Sequence, residues 1–157
     1  MKSWQAWSMV TAQFVLIGLL ALLPGGGFYP VGAILTVVAG ALVAAGIVIA
    51  VLAGARLGGS LTPSPIPRDS GELTTSGLYR FVRHPIYSAL LLAAIGLALR
   101  GASVSHVLVL VALIVLISVK ARAEESMLFK KYDDYGTYAS QVGRFIPGVG
   151  RIPLGGK

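Results

Sequence analysis

The sequence contains no cysteine and little charge. Without cysteine, the chain forms no disulfide, carries no thiolate nucleophile and offers no cysteine ligand to a metal. The two histidines, His84 and His106, are far apart in the sequence and make a poor metal cluster, so we predict no metal site. Charged residues make up 12% of the 157 residues, whereas a soluble domain usually carries roughly 25%. The surface is therefore too poorly charged for a protein that faces water on all sides.

The missing charge is concentrated in the first third of the chain. Between Trp4 and Ala55 there is no Lys, Arg, Asp or Glu. The whole chain is 55% hydrophobic, and its mean hydropathy is +0.81. Lipid is the solvent that suits such a stretch. We predict an all-α integral membrane protein, a bundle of about four transmembrane helices with a helical tail, in a single domain that spans residues 1–157.

Four apolar runs are the candidates for these helices: residues 7–23, 31–55, 85–99 and 107–119. Lys2 precedes the first run, as in a signal peptide, but the length of the run and the lack of a clear cleavage site favour a retained span. The last two runs are shorter than the roughly 20 residues of a usual span. They either cross with their polar ends included or form a tight hairpin through Arg100 and Gly101. The fourth pattern continues without Pro or Gly to Tyr135, which predicts a helix that projects into water.

The second run carries small residues at four-residue intervals. One set is Gly32, Thr36, Gly40 and Ala44, and another is Gly46, Ala50 and Gly54. Small residues along one helix face allow a second helix to approach closely in lipid. We expect helix contacts here; the alternative is that alanine and glycine are merely frequent in this run.

The basic residues indicate an orientation in the membrane. The net charge is +7, and twelve of the thirteen Lys and Arg residues lie at Lys2, in residues 56–84 or from Lys120 onward. Arg100 is the exception. Cytoplasmic loops carry the excess of Lys and Arg, so we expect both termini in the cytoplasm. Because these residues flank apolar runs, we expect them to contact anionic lipid head groups and not nucleic acid.

Two polar segments, residues 76–87 and 122–147, fall on the cytoplasmic side in this topology and are able to meet there. Taken singly, their residues have simpler explanations. The basic residues of the first segment would anchor a span at the head groups, and the tyrosines would form an interfacial belt. Glu124 would pair with Lys120 one helical turn earlier, which contributes little to stability.

Taken together, the two segments resemble the isoprenylcysteine carboxyl methyltransferase and phospholipid methyltransferase families of integral membrane enzymes. The resemblance rests on Gly77, Tyr79, Arg83, His84, Pro85, Tyr87, Arg122, Glu124, Glu125, Leu128, Tyr135, Tyr138, Arg144 and Pro147. It covers about residues 56–147, the expected catalytic region, which follows two spans in residues 1–55 and precedes a tail in residues 148–157. It implies a methyltransferase that uses S-adenosylmethionine and acts on a lipophilic or lipid-anchored acceptor.

The resemblance also implies a site. The expected cofactor-binding residues are Tyr79, His84, Pro85, Tyr87, Glu124 and Glu125, and the expected catalytic residues are Arg83, Arg122 and Glu125. A helix start favours the cofactor carboxylate, glutamates accept hydrogen bonds from its ammonium or ribose hydroxyls, and tyrosine rings cover the adenine or sulfonium. The chain lacks the alternating strands and helices, and the glycine-rich turn, of a Rossmann nucleotide site.

The identity of the acceptor stays open at this point. We favour the carboxylate of an isoprenylcysteine-like compound, which needs no general base, over a phospholipid amine, which must lose a proton. Outside enzymes, the alternatives are a small four-span transporter and a non-catalytic scaffold. A transporter usually needs an ionisable residue within a span, and the first two runs have none. The sequence does not fix the oligomeric state.

Overall fold

A computed structural model describes residues 2–67 and 71–153, and in these ranges the chain is helical, without a β-strand. The helices are α1 (Ser3–Leu22), α2 (Ala33–Leu57), α3 (Pro85–Gly101), α4 (Val104–Lys131) and α5 (Tyr135–Gln141). Two short 3-10 turns, Gly58–Ser60 and Gly77–Arg80, lie in the connector between α2 and α3. The prediction of an all-α bundle is confirmed, and the first four helices begin within four residues of the apolar runs.

Three helices in the described ranges, α1, α2 and α4, are long and apolar enough to cross a membrane. The fourth apolar helix, α3, has 17 residues. At 1.5 Å per residue it is about 26 Å long, slightly less than a hydrocarbon core of about 30 Å. It begins at Pro85. Proline suits the first helical position because an N–H at that position has no acceptor within the helix, so its absence costs nothing. A helical membrane bundle fits these dimensions.

The close contact between α2 and α3 is made by small residues. Ala39, Gly46 and Ala53 are the buried residues of α2. A Cβ atom added to Gly46 would lie 2.6 Å from the carbonyl oxygen of Ala89 in α3, so the two backbones nearly touch. The expected contact through Gly46 is confirmed. A Cβ on Gly40, by contrast, would meet no described atom within 4 Å, so this member of the other set does not make the contact.

The α1–α2 hairpin and the α3–α4 hairpin meet at one end of the bundle. The backbone N–H of Gly26 donates to the carbonyl oxygen of Gly101 at 2.8 Å, and that of Phe28 donates to Ala102 at 3.0 Å. The start of α1, the described residues of the connector (58–67 and 71–84) and residues 132–153 therefore gather at the opposite end, which we call the site end. Both polar segments lie there. Arg68 and Lys157, which the sequence adds to the basic residues of this end, fall outside the described residues.

The prediction that the fourth helix continues to Tyr135 is wrong by a few residues. Helix α4 ends at Lys131, and Tyr132 has an extended backbone with φ −127° and ψ 118°. The Tyr132 hydroxyl donates to the carbonyl oxygen of Gly71 in the connector. Asp133 and Asp134 follow, and Asp has a low preference for helix interiors. The break allows α5 to fold back across the site end.

Candidate active site

A buried cluster of ionic side chains joins the two polar segments. Arg83 precedes α3, and its side chain is fully buried. Its Nε and Nη2 donate to Oε1 of Glu125 at 3.0 and 2.7 Å, and Nη2 also donates to the carbonyl oxygen of Gly150 at 3.0 Å. Its Nη1 donates to the carbonyl oxygens of Ala139 and Val142. A guanidinium has five N–H donors, so all five are engaged within the chain.

Glu125, on α4, accepts two hydrogen bonds from Arg83 and two from Arg144 in the tail. Arg144 donates from Nε to Oε1 at 3.1 Å and from Nη2 to Oε2 at 2.6 Å. His84 Nε2 lies 3.2 Å from the same Oε1. Glu125 is 3% exposed, and a buried carboxylate between two guanidinium groups is compensated by charge-assisted hydrogen bonds. We call Arg83, Glu125 and Arg144 the buried ion cluster.

Backbone bonds reinforce the cluster. The N–H of Arg83 donates to the carbonyl oxygen of Gly143 at 2.8 Å, and the N–H of His84 donates to that of Arg144 at 3.1 Å. Gly143 also allows the tail to fold tightly on itself, because a Cβ there would lie 2.1 Å from the carbonyl oxygen of Ile146. The start of α3, the middle of α4 and the tail are thus held as one unit.

A cavity of about 440 Å³ opens beside the cluster. Its walls come from α1, the connector, the start of α3, the middle of α4 and the tyrosines that follow α4. The cavity combines apolar side chains with a few polar groups, as small-molecule sites usually do.

Glu124 faces this cavity, whereas its neighbour Glu125 does not. The Glu124 side chain is 27% exposed and accepts a hydrogen bond from the Tyr87 hydroxyl at 2.8 Å on Oε2. His84 stacks on the Tyr87 ring, with the centroids 5.3 Å apart and the planes at 15°. His84 Nδ1 lies 3.8 Å from Oε2 of Glu124. These three side chains form a polar wall with aromatic faces.

Four more tyrosines line the same cavity: Tyr79, Tyr132, Tyr135 and Tyr138. The Tyr138 hydroxyl donates to the carbonyl oxygen of Tyr79 at 2.5 Å. Among the described residues, the buried Tyr135 hydroxyl has no hydrogen-bond partner. Burial raises the pKa of Tyr138 to about 12, and burial together with the nearby carboxylates raises the pKa values of Tyr79 and Tyr135 well above the usual range. These three phenols therefore stay neutral at physiological pH.

Lys120 also lines the cavity, and it is only 1% exposed. Its Nζ donates to Oε1 of Gln13 on α1 at 2.6 Å and to the carbonyl oxygen of Pro63 at 3.1 Å. It lies 5.3 Å from the centre of the Tyr87 ring. Within the described residues no carboxylate oxygen comes within 4 Å of Nζ, so the simple Lys120–Glu124 pair considered from sequence is not formed.

A second, apolar groove of about 220 Å³ adjoins the cavity. It lies among α1, α2 and α3, and its polar lining is negligible. Ile17, Ile86 and Leu90 line both spaces. The polar cavity at the site end and the apolar groove between the helices are therefore neighbours that share part of their walls.

The structure brings most of the expected site residues together. Tyr79, Arg83, His84, Tyr87 and Glu124 line the cavity, and Glu125 lies directly behind it. Two residues are placed elsewhere. Pro85 is buried as the first residue of α3 and does not line the cavity, and Arg122 is exposed on α4, outside both the cavity and the buried ion cluster.

Sequence reasoning missed Gln13 and Lys120 as site residues, and it gave Arg144 no role. Gln13 carried a signal, because it has the largest polar side chain in the first apolar run. Lys120 carried a weaker one, since its position one turn before Glu124 suggested a surface pair. Only the packing of α1 against α4 shows that Lys120 is buried.

The sequence model of one family, described as phospholipid methyltransferase, matches residues 34–135. This range is more than half of the chain, and it includes nearly all of α2, the whole of α3 and α4, and both Glu124 and Glu125. No curated protein and no solved structure is significantly similar to the chain.

Proposed function

The chain belongs to the phospholipid methyltransferase family, and on that premise we propose that it transfers a methyl group from S-adenosylmethionine to a lipophilic acceptor at the membrane surface. The observation that carries the proposal is the convergence of both polar segments on one cavity that adjoins an apolar groove. A polar cofactor and a lipophilic acceptor need a polar cavity and an apolar groove side by side.

The cavity suits S-adenosylmethionine in size and in chemistry. Its volume of about 440 Å³ lies within the usual range of small-molecule sites. Glu124 would accept hydrogen bonds from the ammonium or the ribose hydroxyls, since Oε1 has no partner among the described residues. The ring of Tyr79 would cover the adenine or the sulfonium, whereas the Tyr87 ring already contacts His84 and Lys120. The unpartnered Tyr135 hydroxyl is a further donor or acceptor at the cavity wall.

The cofactor supplies an electrophilic methyl group on a positively charged sulfur. The residues of the chain bind and orient the two reactants so that nucleophile, methyl and sulfur lie in line, and they exclude water from the site. In this proposal the buried ion cluster positions the cavity walls and does not touch the reactants. Arg83 therefore has a positioning role, and Arg122 has none.

The acceptor enters through the apolar groove. The groove is walled by α1 and α2, which both pack against α3, so a hydrocarbon tail has access from the lipid between α1 and α2. The acceptor classes remain the carboxylate of an isoprenylcysteine-like compound and a phospholipid amine. If the acceptor is an amine, Glu124, a carboxylate that lines the cavity, would accept the proton that must leave.

We also propose that the site end faces the cytoplasm, with both chain termini on that side. Described basic residues at this end include Lys2, Arg56, Arg80, Arg83, Lys120, Arg122, Lys130, Lys131, Arg144 and Arg151, whereas Arg100 lies near the opposite end. The excess of Lys and Arg on one side supports this orientation.

The proposal is tested by transfer of a radiolabelled methyl group. Purified protein is incubated with methyl-labelled S-adenosylmethionine and either a membrane lipid extract or an S-farnesyl cysteine analogue. We expect label in the organic phase, and the arm that takes it up identifies the acceptor class. Label no higher than in a protein-free control in both arms contradicts the proposed activity.

A further inference from the structure

We propose that Lys120, oriented by Gln13, binds an anionic group on the methyl acceptor and so selects acceptors that carry a carboxylate or a phosphate beside their hydrocarbon tail. The inference rests on the proposed function and assigns a specificity residue to its acceptor side. It concerns the point where the cavity meets the apolar groove.

The first argument is that the buried Lys120 ammonium has no carboxylate in contact with it among the described residues. A buried cation is costly unless an anion compensates it. Lys120 is 1% exposed, and its described partners are the amide oxygen of Gln13, the carbonyl oxygen of Pro63 and the face of the Tyr87 ring. These groups are dipoles and a quadrupole, and none carries a negative charge. The site is thus preorganised for a ligand that brings one.

The second argument is the geometry of the ammonium group. Lys has three N–H donors, and two are directed at Gln13 and Pro63. Both of these partners line the cavity, as do Lys120 and Tyr87. The third N–H is available to an oxygen in the cavity without the loss of either existing bond.

The third argument is position. Gln13 is one helical turn before Ile17, which lines both the cavity and the apolar groove. An acceptor whose tail occupies the groove past Ile17 places its polar head beside Gln13 and Lys120. The cofactor has no apolar tail, and its proposed partners Glu124, Tyr79 and Tyr135 line the cavity but not the groove.

The fourth argument is the opposite charge one turn away. Glu124 follows Lys120 by four residues and lines the same cavity. An anionic head group is repelled by Glu124 and attracted by Lys120, while a sulfonium or ammonium group has the reverse preference. The two side chains together fix which end of the site takes which reactant.

The test uses single-chain amphiphiles with the same dodecyl tail, namely dodecanoate, dodecyl phosphate and neutral dodecanol. Each is titrated calorimetrically into the full chain in a neutral detergent, with matched empty micelles as the blank. The variants are Lys120→Met, which removes the charge, Lys120→Arg, which keeps it, and Lys130→Met, which removes an exposed lysine of the same helix. S-adenosylhomocysteine is titrated into each protein in parallel.

We expect the wild-type protein to bind at least one anionic amphiphile about tenfold tighter than dodecanol. Lys120→Met reduces this preference to within about twofold, whereas Lys120→Arg and Lys130→Met retain it. The affinity for S-adenosylhomocysteine stays unchanged in all three variants. The stronger of the two anionic arms identifies whether carboxylate or phosphate is the native group.

The inference is overturned if the wild-type protein shows no anionic preference, or if Lys120→Met keeps it. It is also overturned if Lys120→Met weakens S-adenosylhomocysteine binding tenfold, because Lys120 then belongs to the cofactor site. Failure of the wild-type protein to bind S-adenosylhomocysteine contradicts the proposed function instead. The amphiphile preference is measured without cofactor, so the two failures are distinguishable.

Discussion

Glu124 and Glu125 are adjacent in the sequence, yet their carboxylates lie in different environments. Glu125 is held between Arg83 and Arg144 and is 3% exposed, whereas Glu124 lines the cavity and bonds only to Tyr87 among the described residues. Consecutive residues of an α-helix point about 100° apart, which explains how one helix serves both surroundings. The pair therefore provides one carboxylate that is enclosed by ion pairs and one that is open to the cavity.

Glu125→Gln is expected to destabilise the protein strongly. The substitution leaves the buried guanidinium of Arg83 and the partly buried one of Arg144 without their carboxylate. Removal of one partner of a buried ion pair costs about 3–5 kcal/mol. We expect a lower midpoint of thermal unfolding in detergent, measured by circular dichroism at 222 nm. An unfolding midpoint equal to that of the wild-type protein would show that the buried ion cluster does not hold the site together.

Glu124→Gln is expected to have the reverse profile. The side chain is partly exposed and bonds to Tyr87, so the midpoint of thermal unfolding should change little. Loss of a charged hydrogen-bond acceptor for the cofactor should weaken S-adenosylhomocysteine binding about tenfold, since about 1.4 kcal/mol corresponds to a factor of ten. Calorimetry on both variants separates the two roles. Equal affinity of Glu124→Gln and wild type argues against Glu124 as a cofactor ligand.

Arg83→Lys should be poorly tolerated although it keeps the charge. Lysine has three donors where the guanidinium uses five, so at least two of the five bonds to Glu125, Ala139, Val142 and Gly150 are lost. Each unsatisfied buried group costs about 1–3 kcal/mol. Arg122→Lys is the matched control. Arg122 is exposed, so its substitution should shift stability by less than about 0.5 kcal/mol and leave methyl transfer unchanged.

A large loss of methyl transfer in the Arg122→Lys control, or in Arg122→Ala, would restore Arg122 to the catalytic residues expected from the sequence. Its exposed position on α4 would then require a contact that forms only with bound ligand. Chemical denaturation in mixed micelles gives the stability arm, and the radiolabel assay gives the activity arm.

Gly46→Ala should separate α2 from α3. The added Cβ would lie 2.6 Å from the carbonyl oxygen of Ala89, and overpacking of this kind typically costs about 1–3 kcal/mol. Gly40→Ala on the same helix has open space in the described structure and should be neutral or slightly stabilising, because alanine is preferred over glycine in helices. Thermal unfolding of the two variants side by side tests the packing. Similar effects of both would contradict the α2–α3 contact.

Stability is expected to fall in strongly alkaline solution. Burial raises the pKa of Tyr138 to about 12 and also raises the pKa values of Tyr79 and Tyr135, whereas an unfolded tyrosine titrates near 10. The folded state therefore binds more protons above pH 10, and stability present below that pH is lost as the pH rises toward 12. Tyr138→Phe should flatten this decline. An identical pH profile in the variant would show that Tyr138 does not contribute.

The helices were predictable from the sequence because an uncharged apolar run has few other options. The runs at 7–23 and 31–55 agree with α1 and α2 to within four residues at each end. The end of α4 was not predictable, because the break at Tyr132 depends on a contact with Gly71, a residue of the distant connector. The absence of Pro and Gly before Tyr135 favoured continuation, although aspartate is a poor residue for a helix interior.

The candidate site was predictable only in part. The resemblance brought Tyr79, His84 and Glu124 to one place, and the structure places all three around the cavity. It did not separate Glu124 from Glu125, since that division depends on which face of α4 meets the tail. Lys120 was not predicted as a site residue for the same reason. The four-residue spacing suggested a pair with Glu124, but the Lys120 ammonium donates to Gln13 of α1 instead.

The most direct test of the account is calorimetric titration of the purified wild-type protein with S-adenosylhomocysteine in a neutral detergent. We predict saturable binding of one molecule per chain in the micromolar to millimolar range. The absence of any binding heat across that range, from protein that remains folded by circular dichroism, would contradict the assignment of the cavity to the cofactor.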